Sequence, residues 1–397
     1  MELHIKQQSE SPAQIVVHKV CRVRKGERVI IVANPDTGSI AQKLFAAVNE
    51  TGAIPVLIYQ NTKTELDSAD PSVIAALKTE PDVFFSVSAD KLGKDPQAIA
   101  EPYKGPDGVP YDHIFDYLMN GKKVMRAIWT PGITDDMFAR TVTIDYGELA
   151  ERCKRLAELY KDATRVHVIA PGGTDVFVPI SGRSPMVDNG NFSFPGSGGN
   201  IPAGEVFISP VVGNGNRSTT FLTNGIKTVK DSQKNGARLP SGTAGTIVFD
   251  GSMTFGDGDL LLDHPIKVTV KAGFVTSVEG NDEARRLQKT ITEAERTSIQ
   301  MEKNGDLPEG QGEIYKRDSR NIGELGIGLN PAATITGNML EDEKAFHTCH
   351  FAIGANYDND APALIHLDGV VRMPTIVLTY RDGTTRMLMD KGELSLE

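Results

Sequence analysis

His366-Leu367-Asp368 places an imidazole and a carboxylate two residues apart. On an extended strand, residues i and i+2 point to the same face. The pair would stand side by side, a donor set suited to zinc, manganese, cobalt or ferrous iron. Two more histidines precede it, His347 and His350, in the stretch HTCHFAIGANYDNDAPALIHLDGVVRMPT that runs from His347 to Thr375. Strand parity puts His347, Cys349 and Phe351 on one face and Thr348, His350 and Ala352 on the other. Only one of the two histidines can join His366 and Asp368, and spacing alone does not choose between them.

Two upstream acids are candidates to complete such a site. In NIGELGIGLNP (321–331), Glu324, Gly326 and Gly328 share one strand face, while Leu325, Ile327 and Leu329 share the other. An acid backed by two glycines lets another group sit close over the backbone. Glu205 opens the shorter run GEVFISP after Pro202-Ala203-Gly204, where small residues leave room. Taken alone, it reads more readily as a solvated strand-end glutamate. His167 lies within an apolar strand, and His4, His18, His113 and His264 have no neighbour at ligand spacing. Packing or surface roles suffice for all five.

The elements that must position these residues fall into two halves. Arg28 to Ala33 (RVIIVA), Ile54 to Tyr59 (IPVLIY), Val83 to Val87 and Lys122 to Ile128 read as strands, the first a continuous apolar run expected of a strand buried on both faces. Ile40 to Val48 and Pro71 to Leu77 read as intervening helices, so a parallel sheet with right-handed crossovers is expected. The turn after the first strand, Asn34 to Ser39, holds one glycine and matches neither GxGxxG nor GxxxxGK[ST], which argues against phosphate binding there. Tyr146 to Ala163 is a helix with Leu149, Cys153, Leu156 and Tyr160 on one face, followed by a strand over Val166 to Ala170. Ser181 to Pro202 is rich in Gly, Ser, Asn and Pro and reads as loop or domain crossing. Domains are expected at 1–190 and 191–397.

In the second half, Gly245 to Phe249, Ile266 to Val270 and Phe274 to Val278 alternate and carry glycine-rich turns, as in an antiparallel set. Asn224 to Pro240 reads as a polar loop. Asp282 to Lys303 reads as a charged helix with Leu287, Ile291 and Ala294 on one face. The fold class is α/β, with α+β character in the second half: a parallel-sheet domain followed by a mixed or antiparallel catalytic domain.

Composition narrows the function classes. At 397 residues the chain can build two sizeable cores. A net charge of -10 without a basic run disfavours nucleic-acid recognition. MELHIKQQSE has no apolar h-region and no stretch reaches the length that crosses a bilayer, so no membrane partner is expected. The three cysteines, Cys21, Cys153 and Cys349, include no CxxC, which suits a reducing cytoplasm and excludes a cysteine-rich zinc site.

Four ordered segments together resemble the aminopeptidase T/S family of thermophilic metallo-aminopeptidases: AGEVFISP (203–210), IGELGIGLNP (322–331), EDEKAFHTCHFAIGANY (341–357) and IHLDGVV (365–371). Weaker matches are TDDMFARTVTIDYGELAERCKRL and VIAPGGTDVFVPISGR. The likeness spans roughly residues 130 to 375 and selects His350 over His347. Carried over residue by residue, it implies metal ligands at Glu205, Glu324, His350, Tyr357, His366 and Asp368, with ANYDND departing from the usual surroundings of the tyrosine. Three carboxylates, two imidazoles and a phenol exceed the needs of one tetrahedral ion. Two divalent ions (Zn, Co or Mn) are therefore implied, serving hydrolysis of an N-terminal peptide bond with Glu324 as general base. The resemblance also implies a homodimer. Extra length around 216–245 and 280–318 bears on the substrate entrance. A rival shares the fold: ring-opening dioxygenases of dihydroxypyridines, with one Fe(II) on a facial triad that His350, His366 and Asp368 could supply. Under that reading Glu205 and Glu324 have no assignment.

Overall fold

The computed structural model describes residues 10–396 except 64–66, 91, 107, 214–221, 224–225 and 228–241. His4 and most of the expected loop at 224–240 fall outside the described residues. The chain forms two compact units, one of 1–150 with Asp188–Ala203, the other of Glu151–Val187 with Gly204–Glu397. The sequence reading drew a single break after residue 190, whereas the chain passes between the units three times.

The first unit is built on a parallel sheet. Its strands run Ile54–Tyr59, Arg28–Ala33, Val83–Val87, Arg126–Trp129 and Gly198–Asn200 across the sheet, each pair parallel. In chain order this is 2-1-3-4-5, a doubly wound arrangement. All five residues of Val83–Val87 are buried, as the apolar runs require. Helix Gly38–Glu50 turns Ile40, Ala41, Leu44, Ala47 and Val48 to the interior at three- and four-residue spacing. The fifth strand lies inside Ser181 to Pro202, read above as loop. Gly198-Gly199-Asn200 has no apolar pattern, yet its bare backbone fits: a Cβ at Gly198 would lie 2.6 Å from the Ala127 carbonyl and one at Gly199 2.5 Å from the Phe192 ring. The fourth strand begins at Arg126, four residues later than expected, because Tyr117–Gly121 continues as helix up to Lys122.

The second unit carries two antiparallel sheets. One has eight strands in the order Phe274–Glu279, Ile266–Lys271, Ala244–Phe249, Asp175–Pro179, Ala163–Ile169, Thr375–Tyr380, Thr385–Asp390 and Glu393–Leu394. The other has seven: Gly258–Leu261, Ser252–Phe255, His366–Arg372, Thr348–Gly354, Ile322–Gly328, Glu205–Ile208 and Met186–Asp188. Gly369 brings them together, since a Cβ there would meet the Phe249 ring at 2.3 Å. Helix Asp282–Asn304 buries Ala284, Leu287, Ile291 and Ala294 along one stripe and ends at Gly305, whose φ of 84° closes the last turn. The protein is thus a mixed α/β fold with one parallel and two large antiparallel sheets, as expected. Among the described residues no helix is long and apolar enough to cross a membrane.

Candidate metal centre

The site lies on one face of the seven-stranded sheet. Cross-strand register sets Glu324 opposite Ala352, Ala352 opposite Asp368, Gly326 opposite His350, and Gly354 opposite His366. Glu205 stands opposite Gly328 on the next strand. By strand parity all five candidate side chains share that face. Only a methyl group, Ala352, separates the two acids in the central row. A bulge precedes Glu324: the pairing shifts between Ile322 and Glu324, a device that re-aims a side chain.

The glycines beside Glu324 now have an occupant. A Cβ on Gly326 would fall 2.0 Å from Nε2 of His350, so the imidazole lies flat over the bare strand. A Cβ on Gly328 would strike the Ala345 carbonyl at 2.1 Å. The close approach expected over these glycines is made by a site histidine and by the segment leading into its strand.

The donors converge closely. Nε2 of His350 lies 3.0 Å from Oε1 of Glu324 and 3.5 Å from Oε2 of Glu205. Nε2 of His366 lies 3.2 Å from Oε2 of Glu324 and 3.4 Å from Oδ1 of Asp368. Glu324, His350 and Asp368 offer atoms all within 4.8 Å of one another, as do Glu205, Glu343 and His350. His347 goes elsewhere: at φ 66° it turns away, and its Nδ1 donates to the Gly392 carbonyl at 3.1 Å.

Tyr357 borders the group. Its ring centroid is 5.1 Å from that of His366 and 5.1 Å from that of Phe207, and the residue is 53% exposed. Burial of the phenol and the charges of Glu324, Asp368, Glu343 and Glu205 raise its pKa above the ordinary tyrosine value.

Two participants were missed by sequence reasoning. Lys344 is fully buried, and its Nζ donates to Oε1 of Glu205 at 3.1 Å and to Oε1 of Glu343. One Glu205 oxygen is thus held by an ammonium while Oε2 faces His350. In EDEKAF these residues look like a solvated charge run. The available signal was position alone, four charges running directly into a buried strand.

Electrostatics divide the acids. Burial raises the pKa of Glu205 despite Lys344 and His350, and pushes Glu343 up to about 8. Burial also opposes the charges of Glu324 and Asp368, but hydrogen bonds from the imidazoles to Glu324 and the charge of His366 beside Asp368 keep both below the usual carboxylate range. The imidazoles respond in kind. Burial lowers them, yet contact with Glu324 lifts His350 to about 9, and Asp368 with Glu324 raises His366 well above its ordinary value.

The residues fit a bound cation. Nδ1 of His366 donates to the Ala355 carbonyl at 2.9 Å, which fixes the tautomer as in metal-binding histidines. A neutral ring then aims the Nε2 lone pair at two carboxylate oxygens, a repulsive arrangement unless a proton or metal ion lies between. Oε2 of Glu205 and Oδ1 of Asp368 are buried without a hydrogen-bond partner. With neutral imidazoles, four carboxylates face a single ammonium.

Comparison with solved structures then places the architecture. The chain is similar to 2,5-dihydroxypyridine dioxygenase from Pseudomonas putida KT2440 (TM-score 0.64, 16% identity, covering 97% of this chain and 96% of that one). It is also similar to wild-type AmpT from Thermus thermophilus, a thermophilic aminopeptidase (TM-score 0.60, 15% identity, covering 96% and 98%). The two share its fold. No family model and no curated protein matches the sequence.

Proposed function

We propose that the protein is a metal-dependent aminopeptidase of the aminopeptidase T/S type, removing N-terminal residues from peptides. The observation that carries this reading is Glu324, a buried carboxylate whose two oxygens reach Nε2 of both His350 and His366, at 3.0 and 3.2 Å. A facial triad of His350, His366 and Asp368 needs no such acid. Glu205 and Glu343 add further carboxylates on the other side of His350.

Two divalent ions of the zinc, cobalt or manganese type would be held by Glu205, Glu324, His350, His366 and Asp368, with Tyr357 at the border, and would supply an activated water and a polarised carbonyl. Glu324 accepts the proton of that water, a role suited to a carboxylate held ionised by its imidazole contacts. Lys344 keeps Glu205 oriented through one oxygen. The Ala355 carbonyl holds the ring of His366 in place. Assembly as a homodimer belongs to the same reading, and sedimentation of the purified protein tests it.

The experiment is metal content by mass spectrometry, with two activity assays on the same sample. Two zinc, cobalt or manganese ions per chain and release of amino acids from unblocked peptides support the reading. One iron per chain, with oxygen uptake on a dihydroxylated pyridine, replaces it with the dioxygenase.

A further inference from the structure

Arg183 lies outside the cluster, yet its guanidinium ties together two segments that serve it. Nη2 donates to Oδ2 of Asp360 at 2.8 Å and to the Pro210 carbonyl at 3.1 Å, and Nη1 lies 3.3 Å from Oδ2 of Asp358. Pro210 stands two residues beyond the Glu205–Ile208 strand. Asp358 and Asp360 follow Tyr357 in the same loop.

The loop also closes on itself. Nδ2 of Asn356 donates to Oδ1 of Asp360 at 2.6 Å, and Oδ1 of Asn356 accepts from the Ala361 amide at 3.1 Å. Both Asp360 oxygens are therefore committed, one to Asn356 and one to Arg183. Just before the loop, Ala355 accepts from His366 through its carbonyl and donates to the Ile365 carbonyl at 2.8 Å. Residues 356–361 thus form a clip with one end beside His366 and the other on Arg183. A planar guanidinium can serve two carboxylates and a carbonyl at fixed angles, which a lysine ammonium cannot. Without it, two aspartates would hang unneutralised next to a cluster already rich in carboxylates.

We propose that Arg183 is a positioning residue that clamps the 356–361 clip and so holds the Tyr357 ring between His366 and Phe207, at the edge of the metal centre. The inference rests on the reading of the cluster given above. Arg183 touches no substrate and no metal donor. It acts through the loop.

Amide hydrogen exchange of the metal-free protein tests the clamp directly. Arg183→Gln is expected to speed exchange in 356–361 at least tenfold while leaving Ile322–Gly328 unchanged, with Arg183→Lys between it and wild type. A folded Arg183→Gln protein with wild-type exchange in the clip overturns the proposal. Should Arg183→Gln fail to fold, Asp358→Asn with Asp360→Asn removes the two carboxylate charges that the guanidinium pairs with and is held to the same direction of change. Zinc affinity, measured by competition with a chromogenic chelator, tests the link to Tyr357. Arg183→Gln and Tyr357→Phe should weaken it by a similar factor, and the double variant no further. Additive losses overturn a role through Tyr357. A wild-type protein that binds no zinc sinks the proposed function instead, and the exchange result still decides the clamp.

Discussion

At the carboxyl end of Arg28–Ala33, where doubly wound sheets commonly bind ligands, Asn34 reaches both neighbouring strands. Its Nδ2 donates to the Gln60 carbonyl at 2.9 Å and its Oδ1 accepts from the Ala89 amide at 2.6 Å. Thr37 adds a hydroxyl donated to the Val87 carbonyl at 2.5 Å. The groups nearby that lack partners, the Gln60 amide and the Ser88 hydroxyl, are neutral. On the seven-stranded sheet the buried groups are four carboxylates around one ammonium and two imidazoles. Neutral dipoles can be closed within the protein at little cost. Buried ionised carboxylates cannot be, because desolvation of each ion costs several kcal/mol, and without metal they depend on Lys344 and on protons of the imidazoles. One polar constellation consists of neutral groups bonded mainly among themselves, and the other calls for cations.

The largest effect expected of this contrast is catalytic. Glu324→Gln keeps the shape of the side chain but removes the base, and should lower kcat by about 10²–10⁴. Metal content is measured on the same preparation, because Glu324 is also a candidate ligand. Full peptidase activity with metal retained would remove Glu324 from the mechanism.

Next in size is the resident cation. Lys344→Met leaves Glu205 and Glu343 buried without their ammonium, which should destabilise the metal-free protein by roughly 3–5 kcal/mol. Urea unfolding in the presence of a chelator measures this. Added zinc should recover part of the loss, since an ion bound only by the folded state stabilises it. A variant as stable as wild type without metal would mean that Glu205 carries no charge for Lys344 to neutralise.

Asn34→Ala probes the finished constellation. It strands the Gln60 carbonyl and the Ala89 amide, at about 1–3 kcal/mol per buried group. Zinc content and kcat should stay at wild-type values. Any change in metal content would break the division between a structural and a functional polar centre.

How much of this was legible in the sequence depends on how locally each feature is determined. The strand RVIIVA, the stripe Leu287–Ile291–Ala294 and the parity separating His347 from His350 are properties of a few neighbouring residues, and the structure reproduces them. Glu205, Glu324, His350, His366 and Asp368 were assembled from a resemblance, and the fold brings all five together. Lys344 and Glu343 were not legible, because a lysine in an acidic run reads as solvated until the tertiary fold buries it. Gly198-Gly199-Asn200 was missed for a related reason: the strand is defined by what packs onto it. The glycines at 326 and 328 were noticed for close approach, and the fold supplies what approaches: His350 and the Ala345 carbonyl.

The smallest expected effect concerns protons. Without metal, the folded-state pKa of His350 is raised to about 9 by Glu324, and that of His366 well above its ordinary 6.5 by Asp368 and Glu324. His350 therefore holds a proton at neutral pH, and the pairing of both imidazoles with the acids stabilises the metal-free fold below the unfolded histidine pKa. That contribution is lost as pH rises through the folded values. Glu343, pushed up to about 8, holds a proton over the same range. An ion that takes the imidazole lone pairs must displace these protons. Each proton displaced strengthens binding about tenfold per pH unit, or about 1.4 kcal/mol, and the slope should flatten above about pH 9 as His350 deprotonates on its own. Calorimetry of zinc binding at pH 7.5 in buffers of different ionisation enthalpy reads the proton count directly. A count of zero, with affinity flat from pH 7 to 9, would mean that the imidazoles of His350 and His366 are not the groups that meet the ion.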